Sequence, residues 1–210
     1  TSLALVVVAA APGGGTGALL SLHVHGDRAH AVALQVVLAI TSLAAAPTWL
    51  HLYAGSAQIE LLPLVLTLVA FQWVPLAAGL ALSQRRPDLA GRAHPRARRV
   101  ADLLLAAVIV VLLITSGSEV GRNGRDTLTG IGVVLALTLL GGWISLGTPA
   151  VRRASAMTTL VRNLSLALAA TAFMPDEDAA ALVVLTYGLA MYLLAVGWVL
   201  LVRRRLPAPV

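Results

Sequence analysis

The fold is decided by the N-terminal stretch Thr1–His25, TSLALVVVAAAPGGGTGALLSLHVH, in which the breakers Pro12–Gly15 interrupt an otherwise apolar run. Proline removes a backbone hydrogen-bond donor and glycine lowers the cost of non-helical backbone, so four consecutive breakers predict that the helix is interrupted. Inside a bilayer, such backbone must be buried in protein or line a water-filled cavity. The stretch therefore predicts a discontinuous transmembrane helix whose broken ends face a ligand, with a simple kink or close-packing site as the alternative.

The composition of the whole chain places it in a membrane. The 210 residues are 59% hydrophobic and 11% charged, and their mean hydropathy of +0.89 exceeds what a water-soluble domain of this length carries. We therefore predict an all-α membrane protein, a polytopic helical bundle whose partner is the lipid bilayer. With roughly 20 apolar residues per span, it has about seven transmembrane segments: Thr1–His25, Ala29–Tyr53, Leu61–Leu82, Val100–Thr115, Leu128–Leu146, Ser155–Phe173 and Ala179–Val202.

The charged residues lie mainly at the ends of these segments and give a net charge of +6. The basic loops and tail alternate with loops that contain acidic residues: Arg85–Arg99, Arg152–Arg153 and Arg203–Arg205 on one side, and Glu60, Glu119–Asp126 and Asp176–Asp178 on the other. Cytoplasmic loops of membrane proteins carry the basic excess. The alternation predicts a multi-pass plasma-membrane protein with a cytoplasmic C-terminus, and it explains the charge without a nucleic-acid partner.

The sequence offers little for catalysis. Cysteine is absent, which excludes disulfides, thiolate nucleophiles and cysteine metal sites. No phosphate-binding glycine loop, Ser-His-Asp arrangement or pair of carboxylates occurs within a span, so hydrolysis and proton-relay chemistry lack residues. His23, His25 and His30 are close in sequence, but they stand beside Asp27 and Arg28, where polar loop residues are expected. We predict no enzymatic activity, no metal site and no cofactor.

The sixth segment contains a second anomaly, an arginine in its middle. Arg162 lies too far from either end to reach the membrane interface easily, and burying its charge costs from about 2.5 to over 10 kcal/mol. The residues around it form the densest polar cluster of any apolar segment: Thr158, Thr159, Asn163 and Ser165. We predict that this cluster binds a ligand. The alternatives are that Arg162 extends its charged end to the membrane interface, or that it forms a structural ion pair, for which Asp102 is the partner that the sequence offers.

Two motifs resemble the crossover helices of the bile acid:sodium symporter family. The first is Ala10–Thr16, followed by Gly26-Asp27 and a long apolar span, and the second is Thr158–Ser165. The resemblance extends from Thr1 to about Arg205 and implies two inverted repeats of five helices. It implies that residues 1–55 are the last two helices of the first repeat and residues 56–210 the second repeat. Three further helices of the same protein would then precede this chain as its partners.

The resemblance also implies sodium ligands, and this sequence departs from most of them. The family's ligand positions hold other residues here: Gly17 and Ala18 for a Ser-Asn pair, Ala31 and Gln35 for two hydroxyls, Thr158 for a glutamate and Arg162 for a glutamine. An asparagine is kept at Asn163. The aligned positions therefore predict degraded sodium sites, and sodium is the only ion that the resemblance implies.

The two anomalies and the resemblance together predict a secondary active or facilitative carrier of a small organic anion. Its site is expected where two interrupted helices cross, with non-helical backbone at Pro12–Gly15 and around Thr159–Asn163. Arg162 is expected either to pair with the anion or to supply the charge that sodium supplies in relatives. The alternatives are a non-transporting sensor or scaffold of the same fold and a small-anion exporter of the same superfamily. The predicted site residues are Pro12, Gly13, Gly14, Gly15, Thr16, Gln35, Thr158, Thr159, Arg162, Asn163 and Ser165.

Overall fold

The computed structural model describes residues 2–54, 62, 66, 69–116, 124–172, 174 and 176–205. In this part of the chain every regular element is a helix, which confirms the predicted all-α class. The elements are α1 (Ser2–Ala10), α2 (Thr16–His23), α3 (Arg28–Ala54), a π-helical turn (Val69–Trp73), α4 (Val74–Arg85), α5 (Pro87–Ser116), α6 (Arg125–Trp143), α7 (Pro149–Leu160), α8 (Leu164–Thr171) and α9 (Glu177–Arg205).

The first interruption lies between α1 and α2, at the four breakers that the sequence singles out. Gly13 has a φ of 71°, in the left-handed region that only glycine adopts at little cost. A Cβ atom on Gly13 would lie 2.6 Å from the Cβ atom of Leu38 on α3. Glycine is therefore required at this position both by the backbone angle and by the space between α3 and the break.

The second interruption separates α7 from α8, and it is shorter than predicted. Thr158 and Thr159 still belong to α7, and the non-helical residues are 161–163. The Thr159 hydroxyl donates to the Ser155 carbonyl oxygen at 2.8 Å, which keeps this residue within the last helical turn. Asn163 caps α8, because its side-chain Oδ1 accepts from the Leu166 N–H at 3.1 Å. The prediction that the break begins at Thr159 was wrong by two residues.

The two interrupted helices form the centre of the bundle. α7 packs against α2, α3 and α6, whereas α9 packs against α1, α5 and α8. Large side chains from several of these helices are fully buried where they meet: Tyr187 and Met191 on α9, Met157 and Leu160 on α7, and Val8 on α1. This shared core fixes both interruptions relative to α9.

The arginine-rich stretch after the third predicted segment is a helix and not a loop. α5 runs from Pro87 to Ser116 and includes the basic residues up to Arg99. Pro87 occupies the first helical position and Asp88 lies in the first turn, where proline and a carboxylate both favour helix initiation. Arginine is a good helix former, so a dense arginine cluster does not end a helix. The predicted loop at Arg85–Arg99 was therefore wrong, and the transmembrane segment from Val100 stays a prediction.

Apolar side chains are widely exposed on the outer helices, as expected of a protein surrounded by lipid. Leu103 and Ile114 of α5 are 70% and 74% exposed, and Leu137 of α6 is 64% exposed. Within the described residues, Arg125–Trp143 and Glu177–Arg204 are long and apolar enough to cross a membrane, and Arg28–Ser42 is a shorter apolar helix. The predicted segment Leu61–Leu82 falls partly outside the described residues. The number seven and the division into repeats stay predictions.

Candidate functional site

The two interruptions touch and hydrogen bond through their backbones. The Gly14 N–H donates to the Val161 carbonyl oxygen at 2.9 Å, and the Asn163 N–H donates to the Ala11 carbonyl oxygen at 3.1 Å. Each interruption therefore hydrogen bonds with backbone groups of the other that have no partner within a helix. Non-helical backbone in a bilayer needs partners of this kind. We call the contact between residues 11–14 and residues 161–163 the crossover.

Glycine makes this close approach sterically possible. A Cβ atom on Gly14 would lie 2.5 Å from the Arg162 carbonyl oxygen, so any side chain there would separate the two breaks. One turn further along α2, a Cβ atom on Gly17 would lie 3.0 Å from the Cα atom of Thr158. Small residues allow helix backbones to pack at such short distances in membrane proteins. The crossover and the contact between α2 and α7 thus form one tightly packed unit.

Eight buried side-chain polar atoms have no hydrogen-bond partner within the described residues, and four of them belong to residues at the crossover or in contact with it. These four are Gln35 Oε1, Thr158 Oγ1, Arg162 Nε and Tyr187 Oη. Leaving a buried polar atom unpaired costs about 1–3 kcal/mol, and more for a charged group. Such a concentration of unpaired atoms marks a place where a bound molecule can supply the missing partners.

Gln35 links the first break to α3. Its Nε2 donates to the Gly13 carbonyl oxygen at 2.9 Å, and its side chain is buried. This bond satisfies a carbonyl group that the interruption frees from helical pairing. Gln35 is therefore an interhelical hydrogen-bond partner that also leaves its own Oε1 available at the crossover.

Arg162 is half-buried within the second interruption. Its backbone N–H contacts the Met191 sulfur at 3.2 Å, and its guanidinium interacts electrostatically with the Tyr187 hydroxyl. In the described part of the chain no carboxylate pairs with Arg162. Asp102, the partner considered from the sequence, instead contacts His23 at 2.9 Å. The structural ion pair between Arg162 and Asp102 is therefore wrong.

Not all of the predicted site residues converge. Pro12, Gly13, Gly14, Gln35, Thr158, Arg162 and Asn163 lie at the crossover or directly beside it. The Thr159 hydroxyl instead donates to the Thr138 carbonyl oxygen of α6 at 3.0 Å, and Ser165 and Gly15 are exposed. The Thr16 hydroxyl lies 3.2 Å from the Tyr192 hydroxyl and joins α2 to α9.

Sequence reasoning missed the contribution of α9. Tyr187, Met191 and Tyr192 all face the interrupted helices, and Tyr187 is fully buried. They lie in a long apolar segment, where hydropathy alone gives no reason to single them out. The available signal was compositional, because the whole chain has only three tyrosines and two of them lie five residues apart on this helix.

The arginine-bearing segments meet at one end of the bundle, which we call the arginine end and define by Arg98, Arg153 and Arg203. His23 lies at its centre, with Nε2 2.9 Å from Asp102 Oδ1 and Nδ1 2.6 Å from the Arg203 Nη2. A guanidinium can only donate, so His23 Nδ1 accepts and Nε2–H donates to Asp102. His23 thus ties α2 to α5 and α9.

The other two histidines have separate partners. His30 Nε2 lies 2.8 Å from the Ser155 hydroxyl, and the His25 carbonyl oxygen accepts from Arg153 at 3.1 Å. These contacts join the end of α2 and the start of α3 to the second turn of α7. His23 and His30 therefore take part in these contacts through their side chains, and His25 takes part through its backbone.

Removing Arg203 should loosen the arginine end. Its guanidinium makes two contacts with His23, from Nη2 to Nδ1 at 2.6 Å and from Nε to the carbonyl oxygen at 3.2 Å. We expect Arg203→Ala to lower the free energy of unfolding by about 1 kcal/mol, which corresponds to a melting temperature about 2–4 °C lower. Thermal unfolding followed by size-exclusion chromatography measures the change. Arg204→Ala removes an exposed neighbouring arginine and is the control; equal losses in both variants would contradict the assigned network.

Two interrupted helices that cross by backbone hydrogen bonds inside an apolar bundle define a class of membrane transport protein. A model of the Sodium Bile acid symporter family matches residues 1–123, which is more than half of the 210 residues. The chain therefore belongs to the sodium bile acid symporter family and is a membrane protein of a transporter family. The match covers α1–α5, so the second interruption lies outside it. No curated protein matches the chain.

Proposed function

We propose that the protein is a secondary carrier whose crossover binds a small organic anion, with Arg162 opposing the charge of that anion. The observation that carries the proposal is an arginine within the second interruption that has no carboxylate partner in the described residues. Its Nε is buried and unpaired. An arginine without a counter-charge at membrane depth is strongly destabilising, so a bound anion is the natural compensation.

The helix ends alone do not supply this positive charge. α2 and α8 begin at the crossover, whereas α1 and α7 end there. Helix N-termini carry about half a positive charge and C-termini about half a negative charge, so the two contributions largely offset each other. Arg162 then provides the net charge of the site.

The residues at the positions that the resemblance aligns with sodium ligands are poor ligands for sodium. Gly17 has no side chain that could offer an oxygen atom, and it packs closely against the backbone of Thr158. Ala31 is buried and apolar, and Thr158 is neutral where the resemblance implies a carboxylate. A fixed guanidinium nearby disfavours a second cation. We infer that Arg162 takes the place of the coupling ion and that transport does not require sodium.

Transport itself is tested by counterflow. The full-length protein in proteoliposomes loaded with unlabelled cholate should exchange it for external radiolabelled cholate faster than empty liposomes do. Cholate is the first probe because the family's name refers to bile acids, and benzenesulfonate and benzoate extend the test to smaller anions. Binding of these anions without any flux would contradict the carrier and would favour the sensor or scaffold.

We further propose that the protein lies in the plasma membrane with its arginine end in the cytoplasm. The contacts of Arg98, Arg153 and Arg203 with residues 23–25 gather three basic segments on one side, as the basic excess of cytoplasmic loops predicts. α9 begins at Glu177 and ends at Arg205, so its acidic start lies towards the other side.

Single cysteines test this orientation, because the 210 residues contain none. A membrane-impermeant thiol reagent applied to intact cells should label Glu177→Cys and leave Arg92→Cys unlabelled until the membrane is opened. Both positions are exposed, so access depends on the side of the membrane. The reverse pattern would show that the arginine end faces outward.

A further inference from the structure

Tyr187 is a fully buried tyrosine whose hydroxyl is left unpaired. It lies in the middle of α9 at 0% exposure, and its Oη has no hydrogen-bond partner in the described residues. Buried tyrosines usually find a partner for the hydroxyl, because desolvating it without one is unfavourable. The residue therefore calls for an explanation beyond packing.

The groups around the Tyr187 hydroxyl point to the kind of partner that is missing. The guanidinium of Arg162 and the side chain of Thr138 are its polar neighbours. Neither of them meets the Tyr187 Oη in hydrogen-bond geometry, and the Thr138 hydroxyl gives its own hydrogen to the Leu135 carbonyl oxygen at 3.0 Å. Arg162 Nε and Tyr187 Oη are thus two adjacent buried groups with hydrogen atoms to donate and no acceptor that both can use.

We propose that Tyr187 and Arg162 together form an oxoanion site that holds the carboxylate or sulfonate group of the ligand. The inference rests on the proposed anion site and deepens it by naming a second ligand-binding residue and the chemical class of the head group. Oxygen atoms of a carboxylate or sulfonate accept from both groups at once, and charge-assisted bonds of this kind are the stronger ones. A neutral amide of the same shape has only one acceptor oxygen. Its NH2 group is a donor, which cannot accept a hydrogen bond from Arg162 or Tyr187.

This arrangement makes Tyr187 a specificity-determining residue. A site built to donate hydrogen bonds rejects analogues that leave its donors unpaired, more strongly than an apolar pocket rejects a misfit. The protein should therefore bind benzenesulfonate and benzoate and bind benzamide at least tenfold more weakly. The discrimination should depend on the Tyr187 hydroxyl as well as on the arginine charge.

The Tyr187→Phe variant tests the proposal because its two effects have opposite signs. Removing an unpaired hydroxyl should raise the melting temperature of the ligand-free protein by about 2–4 °C. The same change should weaken benzenesulfonate binding about tenfold, measured by calorimetry on the purified full-length protein. Tyr192→Phe is the stability control: its hydroxyl is paired with Thr16 at 3.2 Å, so its loss should lower the melting temperature.

A spectroscopic readout does not depend on a variant at position 187. With 3-fluorotyrosine in place of the three tyrosines, the signals are assigned by Tyr53→Phe and Tyr192→Phe. Benzenesulfonate should shift the fluorine resonance of residue 187, and benzamide should leave it in place. An unmoved resonance at saturating benzenesulfonate would overturn the oxoanion site.

The outcomes separate this inference from the proposed function. Unchanged benzenesulfonate affinity in Tyr187→Phe would overturn the role of Tyr187 while leaving a carrier that relies on Arg162. Normal benzenesulfonate binding with a tenfold loss in Tyr187→Phe, but no counterflow of any anion, would support the oxoanion site and contradict the carrier.

Discussion

Arg162→Ala should abolish anion binding and counterflow. The guanidinium is the net positive charge of the crossover, and no described carboxylate competes for it. Truncating one partner of a buried, hydrogen-bonded charge pair costs about 2–5 kcal/mol. This corresponds to a loss of affinity between about 30-fold and several thousand-fold, which calorimetry with benzenesulfonate measures. Initial rates of cholate counterflow should fall to those of empty liposomes.

Two further arginine variants show whether the effect belongs to this position. Arg162→Lys keeps the charge but removes the Nε donor, so it should retain part of the affinity. Arg153→Ala removes a half-buried arginine at the arginine end, where its Nη2 donates to the His25 carbonyl oxygen. The affinity of the Arg153→Ala variant for benzenesulfonate should stay within about twofold of that of the parent protein, since a contact remote from the ligand adds little to binding. An Arg162→Ala protein that binds anions normally would remove the basis of the proposed function.

Gly14→Ala should separate the two interruptions and destabilise the whole bundle. The new Cβ atom would lie 2.5 Å from the Arg162 carbonyl oxygen and 2.9 Å from the Val161 Cγ1 atom. Neither the backbone nor the buried valine can move without disturbing the hydrogen bonds of Gly14 and Asn163 at the crossover. Losing both bonds in a dry interior costs about 2–6 kcal/mol, so we expect a large fall in melting temperature and in folded yield.

Gly15→Ala is a closely matched control for this prediction. Gly15 is the next residue, it is exposed, and a Cβ atom there meets nothing within 4 Å. Its φ of −56° and ψ of −26° suit alanine, so the substitution should be neutral or slightly stabilising. Melting temperatures of the two variants, compared by size-exclusion chromatography after heating, decide the matter. If the two alanine variants unfold at the same temperature, the tight crossover is wrong.

The sequence predicted the features of the fold that have local causes. Pro12–Gly15 interrupt a helix because of their own backbone chemistry, and both the break and its position follow without knowledge of the rest of the chain. Arg162 stands out for a similar reason, since one charge in an apolar segment is visible against its neighbours. The contact between the two breaks was an expectation from resemblance, and the backbone bonds at Gly14 and Asn163 now give it a geometry.

The features that the sequence did not predict depend on packing between distant helices. Thr159 was assigned to the site, but its hydroxyl donates to Thr138 on α6, because the rotation of α7 turns it away from the crossover. Tyr187 was overlooked because burial of an unpaired hydroxyl becomes visible only in three dimensions. The start of helix α5 was predicted as a loop because the stretch is rich in charge. Arginine favours helix, and the arginines at this exposed end of α5 remain accessible to solvent.

The central claim is that a fixed arginine replaces the coupling cation, and the sodium dependence of transport tests it most directly. The full-length protein in proteoliposomes is given radiolabelled cholate with an inward sodium gradient or with choline in place of sodium. A guanidinium that stays in the protein cannot transmit a sodium gradient, so the initial rates should agree within experimental error in the two media. Uptake that rises with the sodium gradient and disappears in choline would contradict the account.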